Sequence, residues 1–178
     1  MRQALLALGA AALAACGQTT PASSTPQTAV QAPMQDAQFL ASAAMYENYQ
    51  IQAAAIAQAQ AQSAAIRTYA ANAAATHRAA LQALTRAAQA NGLPPPSGAL
   101  NDDNRANLDQ LREPGQTSFD LRYATQQALV TMSMAGRYDA FTSTAPDSPL
   151  KQWAASRSQA VHDDINAARQ LALEAMAR

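Results

Sequence analysis

The chain has 178 residues, with 12 basic and 12 acidic side chains and aromatic residues at only 5%. This balance excludes the dense basic surface that nucleic acid binding needs. Its single cysteine excludes a disulfide framework or a cysteine zinc site.

The chain opens with Arg2 and an apolar Ala/Leu run from Ala4 to Ala15, a signal-peptide pattern too short to span a bilayer comfortably. The order Leu13-Ala14-Ala15-Cys16 resembles a bacterial lipobox. The resemblance implies a diacylglyceryl group on the Cys16 sulfur, cleavage before Cys16, and acylation of the new amino group. Several acyl chains, at about 0.8 kcal/mol per buried CH₂, hold firmly. Gly17, rather than an acidic residue, follows the cysteine, which by resemblance to sorting rules favours the outer membrane over the inner. Removal of residues 1–15 takes away Arg2 and leaves 11 basic against 12 acidic side chains. The expected organisation is therefore a signal peptide over 1–15, a tether over 16–35 and one folded domain over 36–178.

Residues 17–35 are small, polar and interrupted by proline, with nothing to bury, which predicts a disordered tether. Asp36 then reads as a first-turn acid of helix one. Phe39, Leu40, Ala43, Tyr46, Gln50, Ile51, Ala54 and Ala57 recur at helical spacing. No Gly or Pro occurs between Gln35 and Asn91. One helix of that length would be about 80 Å long at 1.5 Å per residue. A break near Gln62-Ser63 is expected, with Ser63 as N-cap.

Helix two follows from Ala64 to Asn91, with Ile66, Tyr69, Ala73, His77, Leu81 and Leu84 on its inner stripe. It stops at Asn91-Gly92, ahead of Pro94-Pro95-Pro96. A crossover loop over 97–115 carries a short helix from Asp102 to Arg112, capped by Asn101 or Asp102. Helix three starts at Thr117 or Ser118 and runs to about Thr142, burying Phe119, Tyr123, Val130, Met134 and Phe141. Ser148 caps the last helix with Pro149 in its first position. Leu150, Trp153, Val161, Ile165, Ala168, Ala172 and Met176 face inward on it. The predicted fold class is all-α, a four-helix bundle.

Several short motifs fall in one order: residues 36–46 (DAQFLASAAMY), Ile66-Arg67-Thr68-Tyr69-Ala70 leading to His77, Asn91-Gly92-Leu93-Pro94, Phe119-Asp120 with Tyr123, and His162. In these the chain resembles an uncharacterised family of exported bacterial proteins, a domain of unknown function often associated with the outer membrane. The resemblance spans about residues 36–175 and implies a ferritin-like bundle with an envelope address. It also implies a Glu in helix one, an Asp-His pair in helix two and a His in each of helices three and four. Here Gln50 stands at the aligned Glu position, Thr76 precedes His77, and Thr131 replaces the helix-three His.

His77 and His162 are the only histidines and the candidate metal ligands. A stable site wants three or four ligands with outer support, and Asp163 and Asp164 are expected to face outward. A di-iron centre needs Glu-x-x-His on two helices. The three glutamates, Glu47, Glu113 and Glu174, offer none. The competing reading has both histidines bonded to backbone, or to each other, at the core edge. Methionines at helical spacing read as core filler rather than copper ligands. Arginines spread over all helices read as exposed surface. No Gly-x-Ser-x-Gly elbow or Gly-rich phosphate loop occurs. The expectation is a non-enzymatic, lipid-anchored, periplasm-facing protein with an envelope protein partner and no cofactor beyond the lipid on Cys16. The alternative is a metal-binding or metal-sensing bundle using His77 and His162.

Overall fold

The computed structural model describes residues 28–113 and 118–177. The signal segment, Cys16 and the tether as far as residue 27 lie outside them. The described residues form five helices and no strand: α1 (Thr28–Gln60), α2 (Ala64–Ala90), α3 (Asp102–Arg112), α4 (Phe119–Thr144) and α5 (Pro149–Met176). No helix among them is long and apolar enough to cross a membrane.

The helix ends follow local chemistry. Ser63 Oγ accepts from the Ile66 N–H at 3.5 Å and starts α2. The break before it is also held from outside. The Asp120 carboxylate of α4 accepts from the Gln62 and Ser63 N–H groups at 2.9 and 2.8 Å. Arg67 Nη1 donates to the Ala61 and Gln62 carbonyls at 2.7 and 2.9 Å. At the far end of α2, Gly92 takes φ +71°, and the Leu93 N–H returns to the Ala88 carbonyl at 2.9 Å. That left-handed residue closes the helix. Asn101 caps α3 through Asn104 N–H at 2.9 Å, and Ser148 caps α5 through Lys151 N–H at 3.1 Å with Pro149 in the first turn.

Two expectations at the N-terminal end are corrected. Helix α1 begins at Thr28, so its first turns overlap the tail of the expected tether. Ala29, Gln31, Ala32 and Gln35 are good helix formers and let the helix extend backwards. Asp36 is therefore not a first-turn acid. It is buried inside α1, and its Oδ2 accepts from Asn91 Nδ2 at 2.8 Å, tying α1 to the end of α2. Helix α4 begins at Phe119, where Ser118 makes no side-chain cap.

Helix α1 packs on α2 and α4, and α5 packs on the same two helices, while α3 lies against α1 and α4. Two apolar clusters fill the interior. One gathers Phe39, Leu40, Leu84, Tyr138, Phe141 and Trp153. There Phe39 and Phe141 stack with centroids 3.9 Å apart. The other gathers Tyr49, Ile66, Leu108, Leu111, Tyr123 and Leu171, with α3 supplying Leu108 and Leu111. Alanines such as Ala43, Ala54 and Ala57 are fully buried, so contact comes from close helix approach rather than from large side chains. Ala172 packs against the second cluster, as expected, whereas Met176 is exposed, contrary to the inward face expected for it.

Candidate functional site

The two apolar clusters meet at a polar layer. In sequence the gap falls between Tyr46 and Tyr49 on α1, between Ala74 and Ala80 on α2, and between Ala124 and Met134 on α4. Glu47 occupies the first gap and is wholly buried; His77 occupies the second and is 2% exposed. Their side chains meet at 2.5 Å, His77 Nδ1 to Glu47 Oε2. Which of the two atoms donates in this hydrogen bond is set by the imidazole tautomer.

The other Glu47 oxygen is taken from two further helices. Tyr138 Oη of α4 donates to Oε1 at 3.1 Å. Arg157 Nε of α5 lies 3.5 Å from the same atom as an ion pair. Each long helix thus contributes one group: Glu47 from α1, His77 from α2, Tyr138 from α4 and Arg157 from α5.

The electrostatics hold Tyr138 protonated and Arg157 charged. Burial pushes the Tyr138 hydroxyl well above its ordinary range and Glu47 pushes it further, against the pull of Arg157, so the hydroxyl stays a donor. Burial alone would lower the Arg157 guanidinium, but Glu47, with Tyr138 and Tyr46, carries it above its usual value. Asp164 sits half-buried beside the centre. Burial raises its carboxyl above the ordinary range, and the nearby His77 and Arg157 offset only part of that. The outward orientation expected for Asp164 is therefore corrected, as is the reading of every arginine as surface.

A second polar group lies on the same layer. Tyr46 Oη and Gln50 Nε2 both reach Thr131 Oγ1, at 3.3 and 3.1 Å. The Tyr46 ring also stands edge-on to the His77 ring, with centroids 5.5 Å apart. Gln50 and Thr131, noted in the sequence as departures from the family pattern, are thus each other's buried partners. The carboxylate that faces His77 is Glu47, three residues before Gln50. Glu47 and Arg157 were legible in principle. Both fall at helical spacing on inner stripes, Glu47 between Ala43 and Gln50 and Arg157 between Trp153 and Val161.

His77 and His162 are not brought together. His77 is bound to Glu47 in the interior. His162 is exposed on the outer side of α5, with Nε2 3.2 Å from Asp139 Oδ2 of α4. Neither is bonded to backbone or to the other, so the partners expected for them at the core edge are replaced by carboxylates. No group of three or more His, Cys, Asp or Glu residues suited to a metal occurs among the described residues. Cys16 lies outside them.

These features define a class: an all-helical protein whose long helices converge on one buried, internally paired charge centre. Residues 19–171 match the domain of unknown function DUF4142, and the chain belongs to that family. No curated protein and no solved structure matches the chain.

Proposed function

We propose that this chain is a lipid-anchored protein of the bacterial cell envelope, held in the outer membrane through Cys16 and facing the periplasm, with an interaction or support role rather than a catalytic one. Its fold is a four-helix bundle of ferritin-like order, with α1, α2, α5 and α4 closing a ring. The long crossover between α2 and α4, carrying α3, supports that order.

The observation that carries the non-catalytic reading is the Glu47 centre. Both carboxylate oxygens are occupied by side chains of the protein, and Glu47 and His77 are closed to water. A general base must reach a substrate proton within hydrogen-bond distance. Among the described residues, the polar partners of Glu47 are His77, Tyr138 and Arg157. The centre instead ties four helices together. The alternative, metal capture by His77 with His162, would have to draw two rings held by different carboxylates to one ion.

The anchor reading rests on Leu13-Ala14-Ala15-Cys16 and has a direct test. Cys16→Ser, expressed in a bacterial host, removes the acylated atom. The expected outcome is loss of the protein from the outer-membrane fraction and its retention as a longer, uncleaved precursor. A variant that still fractionates with the outer membrane at mature size contradicts the reading.

A further inference from the structure

Apart from the Glu47 centre, the interior of the bundle holds polar atoms that the chain itself leaves unsatisfied. Gln127 of α4 is 1% exposed, and neither its Nε2 nor its Oε1 has a hydrogen-bond partner among the described residues. One turn earlier on the same helix, Tyr123 is wholly buried and its Oη is unpartnered too. Residues four apart on a helix share a face. The adjacent Gln126 behaves differently. Its Oε1 accepts from Tyr49 Oη at 3.3 Å, and its Nε2 donates to the Asn107 carbonyl at 3.3 Å. Buried polar groups are almost always bonded to protein or to ordered water, because a bare one forfeits its hydration.

The helix register sets these atoms in an alanine-lined stretch. Gln50 of α1 donates to Thr131 of α4 at 3.1 Å, and the Gln62 N–H donates to Asp120 at 2.9 Å, so the two helices run antiparallel. Four residues on from Gln50 and four back from Thr131, Ala54 comes level with Gln127. Ala53, Ala54 and Ala57 of α1 and Ala70 of α2 are all wholly buried. The His77–Glu47 contact puts Ala70 at the level of Ala54. Methyl groups therefore wall the space that Gln127 faces. The Tyr123 hydroxyl is directed to the same level. Burial pushes it well above its ordinary range, and Tyr69, Tyr49 and Asp164 push it further. Asp164 stands beside the charge centre, so a hydroxyl within its reach points along α4 toward that centre, past Gln127. It stays protonated, a donor and an acceptor at once.

We propose that Gln127 and Tyr123 form an internal binding site for water, holding on the order of one or two molecules between α4 and the alanines of α1 and α2. The unpartnered atoms set the chemistry of the ligand. Nε2 needs an acceptor, Oε1 needs a donor, and the hydroxyl serves as either. A small neutral molecule that donates and accepts meets all of them. An apolar guest leaves them bare. A cation repels the Nε2 hydrogens, and an anion repels Oε1. Buried water typically makes about three hydrogen bonds to groups of this kind. The bound water extends the polar layer of Glu47, Gln50 and Thr131 by a further turn along α4. The site is independent of Cys16 and its acylation.

Nuclear Overhauser contacts between water and the Gln127 side-chain amide, in the isotope-labelled full chain in mild detergent, test the proposal. Long-lived water is expected at both amide protons, with the sign that marks a molecule tumbling with the protein. A crystal structure should place that water about 2.7–3.2 Å from the Gln127 amide and from Tyr123 Oη. Gln127→Met keeps the length of the side chain and removes both amide atoms. In that variant the water beside Tyr123 should be lost while the helical circular dichroism stays intact. Should the variant fail to fold, the spectrum and density of the parent decide. A Gln127 amide without long-lived water contact overturns the proposal. So does density for an ion or an organic molecule at the site, or water that stays equally ordered in Gln127→Met.

Discussion

At the scale of single residues, the buried centre obeys a simple asymmetry. A buried ion pair adds little over a well-packed apolar pair, but removing one member strands the other and costs about 3–5 kcal/mol. Glu47 has three partners, so its loss strands His77, Tyr138 and Arg157 together. Tyr138→Phe removes one donor and should cost about 1–3 kcal/mol, read as a lowered denaturant midpoint with unchanged slope. Asp164 works in the opposite sense. Its raised pKa means that the folded chain holds the proton more tightly than the unfolded chain. Its contribution to stability is full below the unfolded value near 3.8 and is lost as pH rises through the raised folded value. Asp164→Asn should therefore melt higher than the parent at neutral pH, and the gap should close in acid. His77 of α2, Arg157 of its own helix, Glu47 of α1 and neighbouring Asp163 all bear on that carboxyl, so the comparison belongs in otherwise unchanged protein. By contrast, the exposed His162–Asp139 pair is worth about 0–1 kcal/mol, and His162→Ala should leave folding stability nearly unchanged.

At the scale of elements, the joints decide the path of the chain. The α1–α2 break is the most demanding, because Ala and Gln on both sides would continue a helix. Ser63 supplies a cap, and Asp120 supplies two carboxylate acceptors from a helix far away in sequence. Ser63→Ala should cost about 1 kcal/mol. Asp120→Ala should cost more, about 1–3 kcal/mol, because two N–H groups lose their acceptor. Hydrogen exchange at Gln62 and Ser63 would speed up in that variant before the rest of α2. The joints were legible because capping is local: Ser63, Asn91-Gly92, Asn101 and Ser148-Pro149 each announce an end within four residues. Asp120 was not legible as a cap, since nothing in the chain near Gln62 points to it. Glu47 and Arg157 are hard to read from the sequence for another reason. An inner stripe traced through apolar residues alone steps across a charge, although Trp153 to Val161 leaves a gap of two turns that only Arg157 fills. The start of α1 is not legible because the proline and threonine around it mask the helix-forming alanines and glutamines between them.

For the whole molecule, thin alanine packing and the charge centre belong to one design. Small side chains bring the helices close but bury little area each, so identity of the core is weakly specified by shape. A centre that takes one group from each long helix specifies which helix faces which. His77 and its distant namesake His162 then have separate places: one inside that centre, one exposed on α5 beside Asp139 of α4. The measurement that tests this most directly is a double-mutant cycle between Glu47 and Arg157 in urea, using Glu47→Gln, Arg157→Met and the pair. The account predicts that each single variant loses about 3–5 kcal/mol, and that the double variant loses less than their sum by about 1–3 kcal/mol. Single variants that unfold at the parent's midpoint, or losses that simply add, would contradict it.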